Sequence, residues 1–132
     1  MSEPDTGSLK SVGLLQGLPM EVLTATAKDC GWRAFAAQEQ IIDRQSETTD
    51  VFFIVEGKVR VVNYSVSGRE ITLDDIEPGG HFGELAAIDG APRSASVMAL
   101  TPCRVALLPQ ERFLALIERH PSVAIRVMRD MA

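Results

Sequence analysis

Cysteine is scarce in this 132-residue chain: Cys30 and Cys103 are the only two. They are far apart and in no metal-ligand spacing. A bridge between them stays open, but the simpler expectation is two reduced thiols packed in or near the core. Positive charge is also in short supply, with 13 Lys and Arg against 18 Asp and Glu and a formal net charge of −5. Without a basic run the chain is a poor non-specific ligand for nucleic acid or anionic membrane, although one well-placed arginine can still hold an anion. No apolar run approaches the length of a membrane span. Residues 1–7 are polar and acidic, so no signal peptide is expected there and a cytoplasmic location is. The G-x-x-x-x-G-K-[ST], H-E-x-x-H, C-x-x-C and G-x-S-x-G patterns are all missing. There is no internal repeat or low-complexity segment. No catalytic residue, metal ligand or bound cofactor is therefore expected.

What is present fits one domain with a core of its own; such a chain buries about two-thirds of the surface it exposes when unfolded. A disordered lead-in is expected over residues 1–8. Leu9, Val12 and Leu15 have helical spacing, which Gly13 and Gly17 limit to a turn or two. Pro19 suits the start of a second helix with Met20, Leu23, Thr24 and Ala27 on one face, and Gly31 is its stop signal. From Trp32 the pattern becomes strand-like. Residues 51–55 and 59–62 predict neighbouring strands around the tight turn at Glu56 and Gly57. Ile71, Leu73 and Asp75 continue in alternation, and residues 97–100 and 105–108 add two more strands. After Pro109 the helical period returns, broken once at Pro121, with His120 or Ser122 as a cap. The predicted fold is α+β: an antiparallel β-barrel or jelly roll (a double-stranded β-helix) over residues 32–108. Helices over 9–31 and 109–132 flank it.

One loop carries chemistry. Gly83 permits a backbone shape closed to other residues. Residues 84–88 suffice for one helical turn, whose first amides lack internal partners and form an anion site. Gly90 ends the turn and Pro92 stiffens the return. Arg93 then offers a planar fork for an oxyanion, and Ser94 a hydroxyl and an amide. Glu84 can accept hydrogen bonds from hydroxyl groups. An anion beside a hydroxyl describes a sugar phosphate.

The stretch from Phe82 to Ala95 resembles the phosphate-binding cassette of the cyclic-nucleotide-binding domain family, whose pattern is close to F-G-E-L-A, a variable run, then P-R-[AST]-A. Every fixed position is present. The likeness extends over about residues 9–132, through the strand motif at 51–59 and the Pro78–Gly79 pair. It implies a regulatory sensor module rather than an enzyme, with a cyclic nucleotide as ligand. Glu84 would accept the ribose 2′-hydroxyl and Arg93 would pair with the cyclic phosphate. Phe82, Gly83, Leu85, Ala86, Ser94 and Ala95 would line the same cup over residues 82–95. Val61 and Leu73 would flank the base and sugar. Ser94 favours cyclic AMP over cyclic GMP, because bacterial cyclic-AMP regulators commonly carry Ser there and cyclic-GMP-selective members Thr.

Two departures from the family pattern stand out. Gln38 and Gln45 replace turn glycines, in loops expected to lie away from the cassette. The final helix, which usually supplies a cap for the base, stops at Ala132, so the cap is expected to be missing or to come from elsewhere. Residues 126–132 look most like the bacterial catabolite-activator type, in which such a helix leads to a DNA-binding unit; DNA binding by this chain alone is not expected. Val123, Val127, Met128 and Met131 form an apolar stripe that fits core, hinge or a homodimer surface through residues 121–132. The helices from residue 109 onward are expected to relay occupancy, with Leu85 and Ile88 presented to neighbouring apolar side chains. The competing readings are a ligand-free interaction scaffold of this fold, a sensor half responding to another small ligand such as haem, and a cyclic-nucleotide hydrolase. Lone Glu84 and Arg93 without a nucleophile disfavour the last. His81 is expected to be structural or exposed, and Trp32 to pack at the barrel end.

Overall fold

The segment Val51–Glu56 (β3) is apolar at successive positions because it is buried on both faces. Phe52 and Ile54 point into one apolar cluster and Val51 and Phe53 into another. Alternate side chains of a strand leave on opposite faces, so β3 lies in a middle layer. The computed structural model describes residues 6–131 and shows what the layers are.

Before β3 come α1 (Thr6–Leu9), a 3-10 turn (Gly13–Leu15), α2 (Met20–Asp29), β1 (Gly31–Phe35) and β2 (Gln40–Ile42). After it come β4 (Val59–Tyr64), β5 (Glu70–Ile76), β6 (His81–Phe82), α3 (Glu84–Asp89), β7 (Ser96–Ala99), β8 (Cys103–Leu108), α4 (Gln110–Arg119) and α5 (Pro121–Met131). Two four-stranded sheets form, in the orders β1-β8-β3-β6 and β2-β7-β4-β5, with every pair antiparallel. Between them lie Phe35, Phe52, Ile54, Phe82 and Val105 from one sheet and Ile42, Val59, Val97 and Ala99 from the other. The outer face of the first sheet is covered by the helices, through Leu9, Val12, Leu15, Leu23, Phe113, Val123 and Val127 against Val51, Phe53, Ala106 and Leu108. The fold is α+β, as the sequence predicts, but the sheets form a sandwich and do not close into a barrel.

Several details differ from expectation. β3 and β4 are consecutive but belong to different sheets, so they are not a hairpin. Gly57 turns the corner at φ +89°, where a Cβ would stand 2.3 Å from the Pro102 carbonyl oxygen. Of the lead-in expected over 1–8, residues 1–5 lie outside the described residues, and from Thr6 the chain is helical because Leu9 anchors the turn in the core. Pro19 and Pro109 sit at the N-caps of α2 and α4, and His120 is the C-cap of α4. Trp32 packs against the helical cluster and its indole N–H donates to the Ala27 carbonyl at 3.1 Å. Both cysteines are free and buried. Burial and then the neighbouring Asp29 charge push the Cys30 thiol up to about 12, so it stays protonated at neutral pH. Among the described residues no helix is long and apolar enough to cross a membrane.

Candidate ligand-binding site

A cavity of about 950 Å³ opens where the second sheet meets the cassette and α5. One wall is the segment 82–95, built by tight local devices. Gly83 caps α3 in the left-handed region at φ 86°, and Gly90 ends it at φ 72° with its N–H on the Ala86 carbonyl at 2.9 Å. The Asp89 carboxylate then accepts the Ala91 N–H at 2.8 Å, turning the chain toward Pro92. A Cβ at Gly83 would meet the Arg93 Nη1 at 2.7 Å and the Asp50 carbonyl oxygen at 3.0 Å. Glycine is therefore required here for both its φ and the close approach of Arg93.

Arg93 is the centre of the site. It is 5% exposed, and its guanidinium reaches three neutral oxygens: the Gly83 carbonyl (2.7 Å), the Asp50 carbonyl (2.8 Å) and the Thr48 hydroxyl (3.3 Å, from Nε). The Phe52 ring lies beneath it at 5.8 Å and stacks in turn on Phe82, centroids 4.8 Å apart. Burial draws the Arg93 pKa down from its ordinary value while the charges of Asp50 and Glu84 push it back up. A guanidinium stays charged under such opposing influences. Among the described residues Arg93 makes no ion pair. It thus leaves a buried positive charge beside an open cavity, with only three of its five N–H groups engaged.

Phe82, Gly83, Glu84, Leu85, Ala86, Arg93, Ser94, Ala95 and Val61 all line this cavity. Leu73 does not: it is 55% exposed, and its neighbour Asp74 faces the space instead. The cause is a bulge. Val61 pairs with Asp74 but Val62 pairs with Thr72, so Leu73 has no partner and the simple alternation slips by one. Leu85 and Ile88 are exposed, and the buried face of α3 is Ala86 and Ala87. Ala87 joins the helical core and its carbonyl accepts the Gln110 side-chain amide at 3.0 Å, so α3 is tied to α4 through Ala87.

Sequence reasoning missed two contributors. The loop between β2 and β3 is in direct contact with the cassette: the Gln45 N–H donates to the Arg93 carbonyl (2.8 Å) and the Arg93 N–H to the Ser46 carbonyl (2.9 Å). No periodicity marks such a pairing. The second is α5, which lines the cavity with Arg126, Arg129 and Asp130. Their i, i+3, i+4 spacing on a helix was legible as a polar face. Arg126 donates to the Leu14 carbonyl at 3.3 Å and to that of Gln16, while the Asp130 carboxylate lies 3.4 Å from the His81 Nε2. The final helix therefore lines the cavity within this chain. Val123 and Val127 of the apolar stripe are buried against the helices, Met128 is 61% exposed, and the Met131 side chain lies outside the described residues.

Comparison with known proteins agrees with this geometry. The family model described as the cyclic nucleotide-binding domain matches residues 32–120. The cAMP-activated global transcriptional regulator of Salmonella typhimurium is 30% identical over 104 residues, 78% of this chain and 50% of that protein. The chain thus spans about half the length of the curated relatives it matches. The crystal structure of the Thermus thermophilus catabolite activator protein superposes with a TM-score of 0.79 at 30% identity, covering 89% of this chain and 55% of that one. The regulatory domain of Toxoplasma gondii PKA, solved with cAMP, superposes with a TM-score of 0.83 at 24% identity, over 96% of this chain and 48% of that one, a likeness of fold.

Proposed function

This chain belongs to the cyclic nucleotide-binding domain family, and we propose that its cavity takes one 3′,5′-cyclic nucleotide, cyclic AMP in preference to cyclic GMP, without turning it over. The observation that carries the reading is Arg93: a buried guanidinium with neutral partners, no ion pair, and two uncommitted N–H groups beside the cavity. A phosphodiester supplies the missing counter-charge and two oxygens for the fork. Glu84 lines the same wall, where its carboxylate accepts a ribose hydroxyl. The Val61, Asp74 and Ile76 side of the cavity is left for the base. The preference for cyclic AMP rests on Ser94 and on the cAMP named for the matched bacterial regulator. The helices after residue 109 pass occupancy on, supported by the Ala87–Gln110 bond and by α5 forming part of the wall.

Calorimetric titration with cyclic AMP, cyclic GMP and linear AMP tests the reading. Stoichiometric binding of the cyclic forms, tightest for cyclic AMP and weak for the linear one, is expected. Chromatography of the same mixture should show no linear product after prolonged incubation. Steady formation of the linear monophosphate would make the chain an enzyme, and failure to bind any cyclic nucleotide would leave a scaffold.

A further inference from the structure

The loop of residues 43–50 has no chemistry of its own, yet it meets Arg93 at both backbone and side chain. Its backbone pairs with that of Arg93 through Gln45 and Ser46, and the Arg44 N–H donates to the buried Ser96 hydroxyl at 2.9 Å. The loop and Arg93 therefore share one frame. Within it, the Thr48 Oγ1 accepts from the Arg93 Nε at 3.3 Å and lies 3.0 Å from the Ser46 Oγ, which also accepts the Thr48 N–H at 3.3 Å. Because Nε can only donate, Thr48 must accept there, and its own hydrogen is free to go to Ser46.

The other two guanidinium bonds, Nη1 to Gly83 and Nη2 to Asp50, end on backbone carbonyls. The group is also joined to its own side chain through Nε and lies over the Phe52 ring. A hydrogen bond at Nε adds a third polar point, which opposes rotation of the plane about the Cδ–Nε bond. Thr48 provides that third point and is the only side chain hydrogen-bonded to this guanidinium among the described residues.

We propose that Thr48 is a positioning residue for the anion site: its hydroxyl, buttressed by Ser46, sets the guanidinium plane so that the two uncommitted terminal N–H groups face a ligand phosphate together. The proposal rests on the reading of Arg93 as a phosphate-binding group. Thr48 itself touches no ligand and acts through Arg93. It is exposed, so its substitution leaves the core intact.

The test uses the full chain with Thr48→Val, which keeps the shape and removes the hydroxyl, and Thr48→Ser, which keeps the hydroxyl. Thr48→Val should weaken cyclic AMP binding about 3- to 10-fold, the weight of one hydrogen bond, and Thr48→Ser should restore affinity to within about twofold of the parent. In the unliganded protein the Arg93 Nε–H proton resonance should exchange with water faster in Thr48→Val than in the parent or Thr48→Ser. A purely structural role would not produce that pattern. Unchanged affinity in Thr48→Val, or equal losses in both variants, overturns the proposal. A parent chain that binds no cyclic nucleotide would defeat the functional reading instead. In that event the Nε–H exchange decides alone whether the clamp exists: equal rates in all three proteins refute it.

Discussion

At Arg93 two opposing costs meet. Taking a charged group out of water is expensive, and here the compensation comes from carbonyl and hydroxyl oxygens rather than from a contacting carboxylate. The carboxylates of Asp50 and Glu84 act on it through space. Such a residue is held in place by the unliganded protein; if an anion completes it, as proposed, the site avoids the entropy of organising itself on binding. On the proposed reading, removing it leaves the ligand phosphate without its guanidinium partner. Arg93→Ala should therefore lose about 2–5 kcal/mol of cyclic-nucleotide affinity, about 30-fold or more. Arg93→Lys should recover only part, because an ammonium has no fork and cannot reach three acceptors in one plane. Titration of both variants at matched ionic strength measures this, and an Arg93→Ala protein that binds like the parent would remove Arg93 from the site.

Among the elements, the loops before and after β2 carry a local strain. Gln38 and Gln45 adopt φ 71° and φ 70°, the left-handed region where a Cβ is unfavourable. Both are held there by backbone bonds, Gln38 N–H to the Ala99 carbonyl at 2.7 Å and Gln45 N–H to that of Arg93 at 2.8 Å. The family pattern carries glycine at these positions, and the structure supplies the reason. Glycine relieves the strain, about 1–2 kcal/mol, but loses more chain entropy on folding, about 0.5–1 kcal/mol. Gln38→Gly and Gln45→Gly should each stabilise the chain by about 0.5–1 kcal/mol, read as a higher urea midpoint with an unchanged slope. A lowered midpoint in both would mean that the glutamine side chains hold the loops.

These elements also mark where the sequence stops being informative. Helix and strand identities follow from period and from Gly and Pro punctuation, and the 82–95 segment follows from residue types that share one chemistry. Which strands pair does not follow. β3 and β4 are joined by one sharp corner, and only the sandwich as a whole puts them in different sheets. The family resemblance puts Leu73 beside the base and sugar, and the unpaired residue in β5 leaves it exposed instead. The loop carrying Thr48 reached Arg93 through backbone hydrogen bonds, and these leave no trace in side-chain pattern.

For the whole molecule, the cavity is shared between two bodies, the sandwich with its cassette and the helical layer that includes α5. Two links join them near the site, His81 against Asp130 and Gln110 on the Ala87 carbonyl, while Arg126 ties α5 to the carbonyls of Leu14 and Gln16 within the helical layer. A ligand moves an equilibrium only by binding one arrangement better than another. A nucleotide in this cavity lies against a wall to which α5 contributes Arg126, Arg129 and Asp130, so its fit depends on where α5 sits. Pro121 opens α5 directly after His120, the C-cap of α4, and its missing N–H breaks the helical run there. Val123 and Val127 hold α5 to the helical core, while Ile125 and Met128 are exposed on its outer side. Amide hydrogen exchange with and without cyclic AMP should show changed protection in residues 121–131 as well as in 82–95, with a smaller change in α4 beside Ala87. Protection confined to 82–95, with 109–131 unaltered, would mean that α5 walls the cavity without sensing it and that occupancy is not passed through these helices.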